Sequence, residues 1–353
     1  MRRWSGICAA ALGLIAGACA RTAPDTARGV PAAEAAYAHV LLISVDGLRP
    51  DALAGAGARL SGFTRLLAGA STLDARTDPD WTVTLPNHVG MVTGRHVEGP
   101  QGHHWRHNDL PPPDLRLRAD LPSVFETVAF AGGRCALFAA KEKFALMPRS
   151  WNGADGAREG GPIHAYAIRA DAPGIAAEIR GFWDAAGAAT RTFAFAHVAE
   201  CDVAGHAGGW DLAAGSEYMT AVARADEFLT SLFAWLDAHP ERAARTALIL
   251  TADHGGGTPF RDHHGAGRAA ANFTVLFAIW SGNGATGGDL YALNAASRAR
   301  PGGTDPRPGA PGPPPIRSAD AANLALDLLG LPPLPGSSVN AAQDLRWREG
   351  GGP

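Results

Sequence analysis

Four separated stretches of the chain carry the residue types that hold metal ions and attack phosphorus. The first is Asp46 in Ser44-Val45-Asp46-Gly47, where the glycine permits a sharp turn and leaves the carboxylate at the end of a strand. The second is Thr82-Val83-Thr84-Leu85-Pro86-Asn87-His88. Pro86 suits the first turn of a helix, so Thr84 lies near a helix N-terminus, where backbone N–H groups favour a phosphate. A hydroxyl at that point is a candidate nucleophile once a metal lowers its pKa. The third is Asp202-Val203-Ala204-Gly205-His206, with a carboxylate and an imidazole four residues apart. The fourth is Thr251-Ala252-Asp253-His254-Gly255-Gly256-Gly257, followed by His263 and His264. Neighbours on a strand point to opposite faces, so Asp253 and His254 reach one ion only if the strand ends at about Ala252.

Each stretch alone has a plainer reading: a tight turn, an ordinary threonine cap, a surface carboxylate. Together they supply three aspartates, three or more histidines and a threonine. That mixture of oxygen and imidazole nitrogen suits zinc or another first-row divalent ion. Two such ions, roughly 3.5–4 Å apart, clamp the attacking and departing oxygens of an in-line displacement.

The elements that position these residues are legible as apolar runs. Val40–Val45, Arg134–Ala139, Thr192–Val198, Thr246–Thr251 and Phe273–Trp280 have strand length and no polar face, as in strands covered on both sides. Between them, Asp171–Ala186 and Ser216–His239 read as helices, the second with Val222, Phe228, Leu229, Leu232 and Leu236 at helical spacing. Ser318–Leu329 reads as a short helix that stops before Gly330. Ser297–Pro315 is a Pro/Gly-rich loop. The alternation predicts an α/β fold with a mostly parallel central sheet and helices on both faces.

The chain has 353 residues, a net charge of -3 and 46% hydrophobic residues. That composition excludes a disordered chain and gives no footprint for nucleic acid. Residues 1–20 read as an export signal: Arg2 and Arg3, an apolar stretch from Ile7 to Ala18, then a small-residue end. Ala18-Cys19-Ala20 resembles a cleavage site, and Ala16–Cys19 resembles a box for lipidation of Cys19. Residues 21–38 read as a tether and 39–345 as a single catalytic domain. These readings place the protein in the periplasm or outside the cell, with a lipid on Cys19 as its sole membrane contact. Cys135 and Cys201 read as small buried residues.

The motifs resemble those of the nucleotide pyrophosphatase/phosphodiesterase group of the alkaline phosphatase superfamily. The likeness rests on Ser44-Val-Asp-Gly-Leu-Arg-Pro-Asp51, Thr84-Leu-Pro-Asn-His88 with its trailing Thr93-Gly94, Asp202-x-x-x-His206 and Asp253-His-Gly-Gly256. It implies two divalent cations, Zn2+ in type. One would be held by Asp46, Thr84, Asp253 and His254, the other by Asp202, His206 and a late histidine. His264, in His-Gly, is preferred to His263 for that place. It further implies Thr84 as nucleophile through a phosphothreonine intermediate, and Asn108 as donor to a nonbridging phosphate oxygen.

The expected substrate is a small phosphate ester or a nucleotide, cleaved as a diester. A phosphomonoesterase is the nearest alternative, and an inactive metal-binding surface protein the alternative from another class. Leu85 and His197 stand where nucleotide-cleaving members carry aromatics. Trp81, Trp105 and Trp210 read either as a rebuilt apolar slot or as packing. Lys141 and Lys143, after a strand, read as solvated.

Overall fold

The computed structural model describes residues 35–348 apart from 55–58, 154–159, 266–268 and 285–286. Residues 1–34, on which the expected export signal and most of the expected tether fall, lie outside the described residues. The chain enters the fold at Tyr37, which is buried against Trp347 with its hydroxyl donating to Asn283.

The apolar runs form strands close to their expected bounds: β1 His39–Val45, β3 Arg134–Ala139, β5 Thr192–Val198, β6 Thr246–Thr251 and β7 Thr274–Ser281. Two more strands complete the sheet, β2 Ala70–Arg76 and β4 Ala165–Ile168. β2 is of mixed polarity and β4 is an apolar run of only four residues, and both are outer strands with one side open. The order is β2-β7-β6-β1-β5-β3-β4. Every strand runs parallel to β1 except β7, which is antiparallel to both β6 and β2.

Side-chain alternation shows how the faces are covered. Phe193 and Phe195 of β5 meet Phe125 and Phe144 on one face, and Phe138 of β3 meets Phe182 on the other. The helices Thr84–Thr93, Val124–Phe130 and Asp320–Leu328 pack together on the first face. The helices Ser61–Leu67, Ala172–Ala186, Glu200–Gly208 and Glu217–Asp237 pack together on the second.

Strand register sets where the polar residues gather. Ser44 pairs with Thr251, Val45 with Val198, and Ala139 with His197. Four parallel strands therefore end flush, and the residues just beyond them share one rim. Those residues are Asp46, the helix carrying Asp202, the pair Asp253-His254, and Lys141.

Away from that rim, His39 shows how burial ties stability to pH. Arg242 donates to its Nε2 at 3.3 Å, which leaves Nδ1 to donate to Thr192 Oγ1 at 2.9 Å. Burial, with Arg242 and Arg245 nearby, pushes its pKa down to about 4. A histidine whose folded pKa lies below its unfolded value of about 6.5 favours the unfolded chain as pH falls between the two. The stability lost on acidification from pH 6.5 to 4.5 should therefore be smaller in His39→Gln than in the parent, read from urea midpoints at each pH. Equal losses would remove His39 as a contributor.

Candidate active site

Asp46 ends β1 at the Gly47 turn. Gly47 has φ +71°, and a Cβ there would sit 2.9 Å from Cα of Asp202. Only glycine lets the β1 turn approach the helix Glu200–Gly208 this closely. The Gly47 carbonyl accepts from Trp210 Nε1 at 2.8 Å and from Tyr218 Oη at 2.9 Å. Trp210 lies against Gly256, where a Cβ would meet its ring at 2.2 Å. Trp210 is thus a buried brace beneath two of the motifs, and not the wall of a slot. Trp105 is also buried, its Nε1 donating to His107 O. Trp81, half-buried, donates to Glu98.

The three aspartates are arranged alike. Asp46 Oδ2 accepts from Lys141 Nζ at 2.5 Å and from His197 Nε2 at 2.9 Å. Ala140 N donates to His197 Nδ1, which leaves the proton on Nε2. Asp202 Oδ2 accepts from Lys141 Nζ at 2.6 Å. Asp253 Oδ1 accepts from the backbone N–H of Gly47 at 3.2 Å and of His254 at 3.0 Å. The other oxygens, Asp46 Oδ1, Asp202 Oδ1 and Asp253 Oδ2, are buried and accept no hydrogen bond from the described residues.

The histidines mirror this. His254 Nδ1 donates to Gly255 O at 2.8 Å, His206 Nδ1 to Asp262 O at 2.9 Å, and His264 Nδ1 to Thr82 O at 2.7 Å. Each ring is thereby held in the tautomer that turns an Nε2 lone pair into the site. His254 Nε2 lies 3.4 Å from Asp46 Oδ1 and 3.3 Å from Asp253 Oδ2. Asp202 Oδ1 lies 3.4 Å from His206 Nε2 and 3.6 Å from His264 Nε2. His206 and His264 bring Nε2 atoms within 3.1 Å, and the His254 and His264 rings stack at 3.7 Å.

Among the described residues, distance defines two groups able to hold a metal ion, Asp46 with Asp253 and His254, and Asp202 with His254 and His264. Buried lone pairs converging without proton donors fit divalent cations. His264 turns inward, whereas His263 is exposed and bonded to Asp262.

The electrostatics match. Burial raises Asp46, but Lys141 and His197 overcome it and hold the carboxyl well below its usual range. Burial and the charge of Asp46 oppose ionisation of Asp202, while the His206 contact and Lys141 bring it down to about 2. Burial and the charges of Asp46 and Asp202 push Asp253 well above its usual range against the opposing charge of Lys141. Burial pushes His254 below its usual value and lowers His264 to about 3, which favours the neutral ring that donates a lone pair, whereas the contact with Asp202 raises His206.

Thr84 is the first residue of the helix Thr84–Thr93 and is almost fully buried. His88, one turn on, donates from Nδ1 to Thr84 O at 2.7 Å, and its Nε2 accepts from Ser44 Oγ at 2.8 Å. That same Nδ1 is 3.6 Å from Asp253 Oδ2, so the start of the helix lies beside the carboxylates. Asn87 accepts from Asp78 N and donates to Trp81 O and Val83 O, fastening the approach loop. Asn108 Oδ1 accepts from Leu85 N at 2.8 Å and from Lys143 Nζ at 3.3 Å. One first-turn N–H is therefore capped, and the Asn108 amide Nδ2 is left as its donating end.

Lys141 and His197 are the functional residues that sequence reasoning misses. Lys141, expected to be solvated, is mostly buried and joins two aspartates. Its one signal is a place just past the end of β3, like that of Asp46 past β1, but a lysine after a strand looks the same whether solvated or paired. Leu85 and His197 are both buried in the core, so neither can stack on a base.

Residues 40–270 match the family model described as type I phosphodiesterase / nucleotide pyrophosphatase. No curated protein matches the chain. Among solved structures, the chain is similar to the C-terminal periplasmic domain of EcEptC from Escherichia coli, at 13% identity and TM-score 0.55 over 88% of this chain and 87% of that one. It is similar to a 2-O GAG sulfatase, at 13% identity and TM-score 0.54 over 89% and 75% of the two chains. The lipoteichoic acid synthase LtaP from Listeria monocytogenes gives 10% identity and TM-score 0.52 over 85% and 73%. These likenesses are of fold, and the fold is alkaline-phosphatase-like.

The opposite orientations of the two late histidines make a clean test. His264→Ala should weaken zinc binding to the full chain by about 10-fold or more in calorimetric titration, while His263→Ala should leave it within about 3-fold. Equal losses would reverse the assignment.

Proposed function

We propose, for a chain that belongs to the type I phosphodiesterase / nucleotide pyrophosphatase family, a two-step hydrolysis of small phosphate esters in which Thr84 is the nucleophile and two divalent cations, zinc in type, are the cofactors. The chain is a phosphoric ester hydrolase of the alkaline phosphatase superfamily. The observation that carries the finer reading is the convergence of three hydrogen-bond-free carboxylate oxygens and three oriented imidazole nitrogens beside the helix that starts at Thr84.

Asp46, Asp253, His254 and the Thr84 hydroxyl would hold one cation, and Asp202, His206 and His264 the other. Bound there, the cations supply positive charge that lowers the pKa of a hydroxyl or water and stabilises charge on phosphate oxygens. Thr84 Oγ1 forms the bond to phosphorus as the bond to the first alcohol breaks. The proton lost from Thr84 is the one the departing alcohol gains. Water then attacks the phosphothreonine, the P–Oγ1 bond breaks, and Thr84 recovers its proton. Asn108 Nδ2 donates to a nonbridging oxygen throughout, its carbonyl held by Leu85 N–H and Lys143.

Cleavage of a diester is the favoured reaction. A phosphomonoesterase is the second reading, favoured by one observation: Lys143 places a cation beside Asn108, where the extra charge of a dianionic ester would lie. Nucleotides would bind without a base pinched between Leu85 and His197, since both are buried. The arginines and apolar run within residues 1–20 support export, with retention by lipid on Cys19 as one outcome of processing. Among the described residues, no helix is long and apolar enough to cross a membrane.

On p-nitrophenyl phosphodiesters and monoesters with zinc-loaded protein, Thr84→Ala should lower kcat by at least about 10³-fold on the better substrate. Its thermal midpoint should stay within a few degrees of the parent. Retention of turnover in Thr84→Ala would exclude the covalent route, and a higher kcat/KM for the monoester would select the second reading.

A further inference from the structure

Lys141 has a geometry that the proposed reaction does not use. It lies just past β3, and its ammonium is 2.5 Å from Asp46 Oδ2 and 2.6 Å from Asp202 Oδ2. These two aspartates belong to different cation-holding groups. In Asp46 it is Oδ1, not the Lys141-bonded Oδ2, that faces Nε2 of His254, in Asp202 it is Oδ1 that faces Nε2 of His206, and neither Oδ1 accepts a hydrogen bond among the described residues. Asp253, the third carboxylate, reaches the same state differently, with two backbone N–H groups on Oδ1.

We propose that Lys141 is a positioning residue that clamps Asp46 and Asp202 across the two cation loci, so that each aspartate presents Oδ1 alone and the carboxylates stay assembled before a cation arrives. The inference rests on the two-cation reading of the proposed function. The physical need is clear from burial. Three carboxylates with almost no solvent contact share one rim, and leaving such charges uncompensated is strongly destabilising. Each of the three Lys141 N–H bonds can meet a separate acceptor, so one ammonium can bind two carboxylates from different elements. The register of β3, β5 and β1 makes the reach possible, because Ala139, His197 and Ser44 lie side by side. Lys143, two residues on, meets Asn108 and makes no contact with an aspartate among the described residues, so the clamp is specific to position 141.

A residue serving packing alone would lower stability equally with and without metal. A clamp of this kind would matter most in the chelated protein, where no other cation balances the carboxylates. The test is the thermal midpoint of full-length parent, Lys141→Met, Asp202→Asn and the double variant, each chelated and then zinc-saturated. Lys141→Met should lose at least ~5 °C when chelated, and zinc should recover more than half of that loss. The double variant removes the charge pair together, so its chelated midpoint should lie above that of Lys141→Met. It also keeps the comparison readable if the single variant is poorly folded. Equal loss in both metal states, no loss in either, or a double variant below Lys141→Met would overturn the clamp. Zinc that fails to raise the parent midpoint would sink the two-cation reading instead, with the chelated comparison still deciding what Lys141 does.

Discussion

Each aspartate at the rim has one oxygen committed to donors and the other left bare, and the rest of the structure serves that asymmetry. Asp46 is committed by Lys141 and His197, Asp202 by Lys141, and Asp253 by the backbone of the Gly47 turn. The bare oxygens lie within 3.3–3.6 Å of imidazole nitrogens whose own protons are engaged by carbonyls on the far side of each ring. A buried group without a partner is costly unless something else satisfies it. Here Asp46 Oδ1, Asp202 Oδ1, Asp253 Oδ2 and His254 Nε2 gather at the rim and share one chemical character, that of electron-pair donors to a hard or borderline cation.

The fold makes this arrangement by alignment. Parallel strands that end flush deliver Asp46, Asp253 and His254 from strand ends, Asp202 and His206 from a helix that begins two residues after β5, and Lys141 from beyond β3. Gly47 and Gly256 then allow backbone to approach where a side chain would block it. Trp210 fills the space between them and donates to the Gly47 carbonyl. The hydrophobic sheet and the polar rim thus depend on each other: the buried strands hold the ligands in register, and charge balance at the rim limits what that burial costs.

Much of this is legible from the chain alone. The five inner strands announce themselves as unbroken apolar runs because both of their faces are covered. The motif residues stand out because metal-ligand types recur just past those runs. What escapes shares a physical cause. β2 is an edge strand of mixed polarity, and β4 is an edge strand of four residues, too short to carry a periodic signature. Lys141, just past β3, and His197, on β5, act on Asp46 from stretches distant in sequence, and their importance comes from register that no local pattern encodes. The tryptophans illustrate the same limit, since an indole near a motif can line a slot or brace a turn, and only the glycines opposite Trp210 settle that it braces. His263 and His264 are adjacent and alike in sequence. The Thr82 carbonyl, from a different stretch of chain, is what turns His264 inward.

The central claim is that these strand ends assemble a two-cation centre with a threonine at its edge. Anomalous diffraction from crystals of zinc-loaded protein tests it most directly. Two peaks should appear, one coordinated by Asp46, Asp253 and His254 with Thr84 Oγ1 in reach, the other by Asp202, His206 and His264. Peaks confined to other parts of the surface, or a Thr84 hydroxyl turned away from both ions, would contradict the account.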